Sequence, residues 1–303
     1  MAALARGSRV LLVHGATPPP LVAGVPGRLL VTGDDLGASR AVNASVARCH
    51  REGILTSTSL MVAEPAAAEA VALVSELPRL ATGLHLVLCD GAAASPPRAI
   101  PDLVGTDGKF PSSPLRAGVR DWVQRRRLRG QLEYEIRTQF ERYAKTGLPF
   151  DHVDGHHHLH MHPVVFEIVQ RCMEEHRVPC VRLMRESTAA RPPHSRPTEE
   201  LVPAIFAALA RHHRRRLERS GRIRVADEVW GLRATGRLDA ALLSHLLRRM
   251  QARTLELFTH PREDTEQGRL EEQALCAPEV RRIIRDAGYE LISTRTLGKE
   301  ALA

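Results

Sequence analysis

Short apolar runs alternate with amphipathic stretches along most of this chain. Runs that are apolar or rich in β-branched side chains predict about seven or eight strands, at residues 28–32, 55–62, 82–88, 150–155, 180–183, 227–232, 254–259 and 289–294. Apolar positions at helical spacing predict helices at residues 38–52, 65–76, 115–146, 164–177, 199–220, 238–253 and 280–287. The alternation predicts a barrel-like (β/α) domain, with an open doubly wound sheet as the alternative.

Polar side chains stand at the ends of four predicted strands, where apolar ones are the default. They are Asp34, Asp35, His85, Asp154, His156 and His260. In a parallel sheet or barrel the carboxyl ends of the strands meet and form the site. Two histidines and one carboxylate, with positions left open, form a standard mononuclear metal site, and a second carboxylate beside it can act as a base. The combination predicts a metal site that activates water.

The densest signal is the sequence DHVDGHHHLHMH at residues 151–162. If this run is extended, its side chains alternate between two faces. One face would then hold His152, Asp154, His156, His158, His160 and His162. His157 would be the exception among the histidines, on the other face with the apolar residues. We interpret the run as the end of a strand that delivers ligands into a site.

Each of these signals alone also has an ordinary structural explanation. Asp34 or Asp35 could cap the following helix, His85 could be a hydrogen-bonded core histidine, and the histidine run could be a solvated loop. The arginine-rich stretches at 125–129 and 211–216 are typical of solvated helix faces. The functional interpretation therefore depends on the combination and not on any one member.

Composition limits the class of protein. The 303 residues suffice for one large α/β domain or two small ones, and 43% apolar residues is ordinary for a globular chain. No apolar run approaches the roughly 20 residues that span a bilayer. The five cysteines form no C-x-x-C pair, which favours reduced thiols and a cytoplasmic location. We expect residues 1–27 to be a disordered extension or an over-long start; a signal peptide is the alternative, although His14 and Gly15 interrupt its apolar patch.

The formal net charge of +8 suggests a different class of function. A basic module without catalysis could bind nucleic acid or an anionic membrane, and such binding would weaken steeply with salt. That alternative leaves the aspartates and histidines at the strand ends unexplained, so we expect no nucleic-acid partner. The basic amphipathic segment 199–224 could still dock on anionic lipid.

Five motifs together resemble the YdjC/ChbG-like carbohydrate deacetylases. They are TGDDLG at 32–37, TSTSLMV at 56–62, GLHLVL at 83–88, DHVDGHHHLHMHP at 151–163 and THP at 259–261. Their order and spacing agree over about residues 28–295. The segments LMVAEPAAAEAV, LHLVLCDG and IPDLVGTDGKF are most similar to the hopanoid biosynthesis-associated members, called HpnK. The chain departs from the usual T-A-D-D-F-G motif at Gly33 and Leu36.

The resemblance implies a single domain at residues 28–297 with a distorted, TIM-barrel-like (β/α) deacetylase fold. It implies one divalent metal ion, magnesium or zinc first, with manganese, cobalt and nickel as alternatives. The implied reaction is hydrolysis of an N-acetyl group on an amino sugar, and the HpnK likeness implies an N-acetylglucosaminyl hopanoid as the substrate.

The resemblance also implies roles for individual residues. Asp34 matches the family's proposed base, and His260 matches the general acid or the stabiliser of the tetrahedral intermediate. The metal ligands match Asp35, His85 and His156. Residues expected to contact the substrate or to support the ligands are Asp154, His158, His160 and Trp230.

Other functions and partners stay open at this point. A chitooligosaccharide is the alternative deacetylase substrate. A metal-dependent phosphoesterase is a second alternative, because His-x-His runs at strand ends also serve such enzymes. A homodimer and peripheral contact with the inner membrane are further expectations.

Overall fold

The computed structural model describes residues 26–193 and 195–299. In this part of the chain one parallel sheet contains β1 (Gly27–Leu36), β2 (Ser57–Leu60), β3 (Ala81–Leu86), β4 (His152–Gly155), β5 (Glu228–Trp230), β6 (Thr254–Thr259) and β7 (Tyr289–Ile292). The α-helices are α1 (Arg40–Arg51), α2 (Ala67–Ser75), α3 (Pro114–Val123), α4 (Arg125–Lys145), α5 (Pro163–His176), α6 (Leu201–Ser220), α7 (Ala240–Leu247), α8 (Glu266–Cys276), α9 (Pro278–Asp286) and α10 (Thr294–Lys299). Short 3-10 helices span Pro97–Ala99, His156–Met161, Thr188–Ala190 and Pro197–Glu200.

The sheet is built around β1. Its strand order is β4-β3-β2-β1-β6-β5, and β7 also pairs with β1. On one edge of β1, residues 28–33 pair with β6. On the other edge, residues 27–30 of β1 pair with β7 and residues 32–36 of β1 pair with β2. Strands β1, β2 and β6 are buried on both faces along nearly all of their length, as expected of a parallel sheet covered by helices. The carboxyl end of β1 therefore lies in the middle of the sheet.

The sheet curls until its two ends are bridged by the irregular segment 180–185. The Val153 amide of β4 donates to the Cys180 carbonyl at 3.0 Å, and the Arg182 amide donates back to the Val153 carbonyl at 3.1 Å. At the other end, the Val229 amide of β5 donates to the Arg185 carbonyl at 2.9 Å. This segment gives the fold its partial-barrel character and carries Arg182 to the inside.

The prediction of a distorted barrel in a single domain is confirmed, with differences in individual elements. The predicted strand 180–183 makes only isolated bridges to its neighbours. The predicted helix 115–146 is two helices, because the backbone at Gln124 (φ −96°, ψ 18°) ends α3 and begins α4. The helix predicted at 238–253 is only α7. Residues 1–25, most of the predicted extension, lie outside the described residues, and Gly27 already belongs to β1.

The basic segment around α6 is only partly a free cationic face. Arg214 donates to the Ala226 carbonyl at 2.6 Å, and Arg216 contacts Gln170 and Glu167. Among the described residues, none of the helices has the length and apolar character needed to cross a membrane.

Candidate active site

A backbone irregularity at the end of β1 turns two successive carboxylates toward one region. The pairing of β1 with β2 shifts register between Gly33 and Leu36, and Asp35 adopts a left-handed conformation with φ 63°. A regular strand would send neighbouring side chains to opposite faces, whereas a bulge re-aims them. The helix-cap explanation for these aspartates is wrong, because Ser39 caps α1 by accepting a hydrogen bond from the Val42 amide.

Asp35 lies between two imidazoles contributed by β3 and by the segment after β4. Its Oδ1 is 3.2 Å from His85 Nε2 and 3.1 Å from His156 Nδ1. Burial alone would raise the pKa of Asp35, but the contacts with His156 and His85 outweigh it and hold that pKa well below its usual range. The three residues predicted to ligate a metal are thus brought together, with one donor atom of each within 4.8 Å of the others.

His85 is oriented from behind by Asp154. The Nδ1 of His85 lies 2.8 Å from Asp154 Oδ1 and 3.0 Å from Ser59 Oγ. When Nδ1 carries the proton, the lone pair of Nε2 faces Asp35, which is the arrangement that a carboxylate imposes on metal-binding histidines. Burial would lower the pKa of His85, but the charge of Asp154 and the contact with Asp35 outweigh it and raise the pKa to about 10.

Arg182 occupies the interior beside these residues, and sequence reasoning missed it. Its guanidinium binds Asp34 through two bonds of 2.6 and 2.9 Å and reaches Glu256 and Asp154 at 2.8 Å each. It also lies over the ring of Phe258, 5.0 Å from the centroid. The available signal was one charged residue within the apolar sequence CVRL, since arginine is rarely buried without partners.

The rest of the histidine run is not extended, so the predicted alternation of faces is wrong. Beyond β4 the backbone enters a 3-10 helix in which His157 (φ 51°) and His158 (φ 57°) are left-handed. Buried His160 supports the segment that carries Arg182, with Nε2 2.8 Å from the Arg182 carbonyl oxygen. Buried His158 packs against Phe258 and lines the pocket.

The remaining two predicted residues have different placements. His260 follows β6 and lines the pocket, and its backbone amide donates to Glu271 Oε2 at 2.6 Å. Burial raises the pKa of Glu271. Trp230 is only 1% exposed and donates its indole N–H to Glu228 at 2.6 Å. It is absent from the pocket wall, so the prediction that it contacts the substrate is wrong.

Most of the predicted site residues lie around one pocket of about 740 Å³, a size that suits a small-molecule ligand. Its wall includes the polar groups Asp34, Asp35, His85, His156 and His260, and the rest is largely apolar. A pocket with a few convergent polar groups in an apolar wall is typical of an active site.

The Asp35 cluster fits a divalent cation. The buried Oδ1 of Asp35 makes no hydrogen bond, although two imidazole nitrogens lie close to it. One carboxylate oxygen and two imidazole nitrogens form a donor set that suits zinc and other transition metals. A second group of Asp90, His156 and His157 is more exposed.

Comparison with known proteins agrees with this architecture. A solved structure of a proposed cellobiose-phosphate cleavage protein from Enterococcus faecalis is similar with a TM-score of 0.67 at 20% identity, over 90% of this chain and 99% of that one. That likeness concerns the fold alone.

Curated relatives are similar over part of the sequence. A carbohydrate deacetylase of Brevibacillus brevis is 38% identical over 50% of this chain and 58% of its own length. One of Geobacillus stearothermophilus is 36% identical over 58% and 66%, and a chitooligosaccharide deacetylase of Proteus mirabilis is 35% identical over 50% and 57%. The matches thus span 57–66% of these relatives' lengths. The profile of the YdjC-like protein family, in contrast, matches residues 28–286, from the first strand to α9 and across every element of the site, and the chain therefore belongs to that family.

Proposed function

We propose that this protein is a metal-dependent hydrolase that removes the acetyl group from an N-acetylated amino sugar. The observation that carries the proposal is the convergence of Asp35, His85 and His156 beside Asp34 in one pocket. Membership of the YdjC-like family and the similarity to carbohydrate deacetylases support the same reaction.

Different residues around the pocket contribute to different steps of amide hydrolysis. Water adds to the acetyl carbonyl, the C–N bond breaks, and acetate and a free amine leave. Asp35, His85 and His156 hold a divalent cation, which supplies Lewis-acid polarisation of the carbonyl when bound. Asp34 accepts the proton of the attacking water, since each of its oxygens keeps a lone pair besides the one that Arg182 engages.

His260, which lines the same pocket, returns a proton to the leaving amine. The bond from its backbone amide to Glu271 fixes the position of this residue after β6. Asp154 and His160 act indirectly: Asp154 orients His85, and His160 supports the backbone at Arg182. His158 contributes to the pocket wall.

Two substrates follow from different observations. The name of the Proteus mirabilis relative supports a chitooligosaccharide. The motif resemblance supports an N-acetylglucosaminyl hopanoid. Magnesium or zinc as the metal, a cytoplasmic location, peripheral membrane contact and a homodimer stay predictions.

The decisive experiment measures three quantities on one preparation. Protein stripped with a chelator is reloaded with zinc, magnesium, manganese, cobalt or nickel, and metal content is determined by elemental analysis. Acetate release from N,N′-diacetylchitobiose and from an N-acetylglucosaminyl lipid, and phosphate release from a phosphomonoester, are then followed. We expect one ion per chain and acetate release that the chelator abolishes.

The Asp35→Asn variant is the matched control, because it keeps the shape of the side chain and removes a charged ligand. It should lose both metal and acetate release. Phosphate release without acetate release would overturn the proposal in favour of a phosphoesterase, and undiminished acetate release by Asp35→Asn would overturn the assignment of the metal site.

A further inference from the structure

A second set of metal-ligand side chains lies at the solvent side of the active site. Asp90 is in the loop after β3 and His157 follows β4, and these two strands pair in the sheet. Together with His156, each offers one donor atom, and the three atoms lie within 4.8 Å of one another. We name this group the outer position, and the group of Asp35, His85 and His156 the inner site.

The contact between Asp90 and His157 has the geometry of two ligands of one cation. Oδ2 of Asp90 is 3.6 Å from Nε2 of His157, which is longer than a normal hydrogen bond. Two ligands of a tetrahedral zinc ion are separated by about 3.3 Å when each bond is about 2.0 Å long. A cation between the two side chains therefore needs only a small movement of either one.

The backbone of both residues has a conformation that side chains rarely adopt. Asp90 has φ 49° and His157 has φ 51°, so both are left-handed. The amide of Asp90 donates to the Pro111 carbonyl at 3.1 Å, which ties the loop that carries this carboxylate. Left-handed residues other than glycine cluster at functional sites, and here two of them face each other.

His156 belongs to both groups and connects them. Its ring centroid is 4.2 Å from that of His157 and 5.6 Å from that of His85. The exposed fraction of the side chain falls along this series, from 37% for His157 to 16% for His156 and 2% for His85. The three imidazoles therefore lead from solvent to the buried part of the site.

A divalent cation that reaches the inner site must exchange its water ligands for protein ligands. A charge that loses water without gaining new partners is strongly destabilised. At the outer position, Asp90 and His157 can replace some of the water while the ion still contacts solvent, because both residues are exposed. An exchange in two steps avoids the large cost of removing all the water at once.

We propose that Asp90, His157 and His156 form a second cation position, through which a divalent metal enters and leaves the inner site. The inference rests on the metal site of the proposed function. Because both positions use His156, the ion moves from one to the other without returning to solvent. The loaded protein then holds its single ion at the inner site.

Exchange of cobalt(II) tests the proposal, because the visible absorption of this ion reports on its ligands. Chelator-stripped protein is mixed with Co²⁺ to measure uptake, and Co²⁺-loaded protein is mixed with excess EDTA to measure release. The variant Asp90→Asn/His157→Asn removes both outer donors, and asparagine tolerates a left-handed backbone.

We expect this double variant to take up and release cobalt at least about 10-fold more slowly than the wild type, with an unchanged equilibrium affinity. A position that holds no ion before uptake or after it affects the barrier equally in both directions and leaves the end states unchanged. A merely structural role of the two residues would instead change the affinity.

The matched control is Asp107→Asn/His212→Asn. It removes one exposed aspartate and one exposed histidine that are absent from the pocket wall. It should keep the wild-type rates, so that the loss of a charge and an imidazole elsewhere on the surface is not the cause of slow exchange.

Equilibrium dialysis against Co²⁺ detects the outer position directly. In Asp35→Asn the inner site is disabled, and we expect one weakly held ion per chain, which desalting before elemental analysis removes. Adding Asp90→Asn/His157→Asn to this variant should abolish the weak binding. Equal weak binding with and without the two outer substitutions would overturn the outer position.

The outcomes separate this inference from the proposed function. Slow exchange in the double variant without acetate release by the wild type would refute the deacetylase and leave the outer position standing. Wild-type exchange rates in the double variant would overturn the outer position alone, and an accompanying rise in KM would assign the pair to substrate contact. A weaker equilibrium affinity would also overturn it, because the two residues would then support the inner site directly.

Discussion

The guanidinium of Arg182 binds both carboxylate oxygens of Asp34, with Nη1 2.6 Å from Oδ2 and Nη2 2.9 Å from Oδ1. Both side chains are buried. This two-point contact fixes the plane of the Asp34 carboxylate, whereas the adjacent Asp35 faces two histidines. The two neighbouring aspartates therefore differ in their surroundings. The carboxylate of Asp34 is held by an arginine, whereas that of Asp35 is available to a metal.

We expect Arg182→Lys to impair both stability and turnover. A single ammonium group cannot reach Asp34 through two bonds while also contacting Glu256 and Asp154. Leaving buried carboxylates poorly paired should lower the free energy of unfolding by about 3 kcal/mol. Displacement of Asp34 should lower kcat by about 100-fold. Denaturant unfolding and steady-state kinetics measure the two effects.

Measuring the metal content distinguishes the lower kcat expected of Arg182→Lys from a loss of the metal. The Arg182→Lys protein should still bind one ion per chain, because none of the three carboxylates that Arg182 contacts, those of Asp34, Asp154 and Glu256, is a proposed metal ligand. Wild-type kcat in a folded, metal-loaded Arg182→Lys protein would contradict the positioning role of the arginine.

The division between the aspartates predicts opposite behaviour of two isosteric variants. Asp34→Asn keeps a carbonyl oxygen for Arg182 but cannot accept a proton, so kcat should fall by about 100- to 10,000-fold with the metal retained. Asp35→Asn should lose the metal as well as turnover. Elemental analysis beside acetate release distinguishes the two variants, and equal metal loss in both would refute the division of roles.

Asp154→Asn should weaken metal binding without removing a ligand. The amide cannot hold the proton on His85 Nδ1 as the carboxylate does, and loss of such support typically costs 10- to 100-fold in metal affinity, roughly. A competitive chelator titration measures the change. The exposed variant Asp90→Asn is the control; it should keep wild-type affinity, whereas a loss there would instead point to the group of Asp90, His156 and His157.

Much of the fold and site follows from local sequence pattern. Strands β1, β3 and β6 are buried apolar runs followed by polar residues, so Asp35, His85 and His260 could be placed at strand ends from the sequence alone. The parallel arrangement then requires those ends to lie together, which is why residues distant in the chain meet in one pocket.

Other features depend on contacts that no local pattern contains. Arg182 lies in an apolar sequence, and its partners Asp34, Asp154 and Glu256 are scattered along the chain and are brought together only by the curled sheet. The left-handed backbone at His157 and His158 likewise departs from the two-residue period of a strand, and no repeat of apolar and polar residues in the histidine run indicates it. Trp230 is an error of the opposite kind, because the sequence suggested a site residue where the structure has a core residue. An aromatic residue near a strand end can simply belong to the core.

His213 gives a stability prediction that is independent of the metal site. Its buried ring stacks on Phe166 and donates through Nε2 to the Met161 carbonyl, and burial together with the nearby charges of His212 and Arg216 lowers its pKa to about 4. In the unfolded chain a histidine pKa is about 6.5, so between these values the unfolded state binds more protons, and stability is lost as the pH falls from 6.5 toward 4. Between pH 7 and 4.5 the free energy of unfolding should therefore fall by about 2 kcal/mol more in the wild type than in His213→Gln. Urea unfolding at several pH values measures this difference. His212 is an exposed neighbour on α6, and the control variant His212→Gln should follow the wild type. Identical pH dependence of His213→Gln and the wild type would show that the buried ring is not the group that titrates.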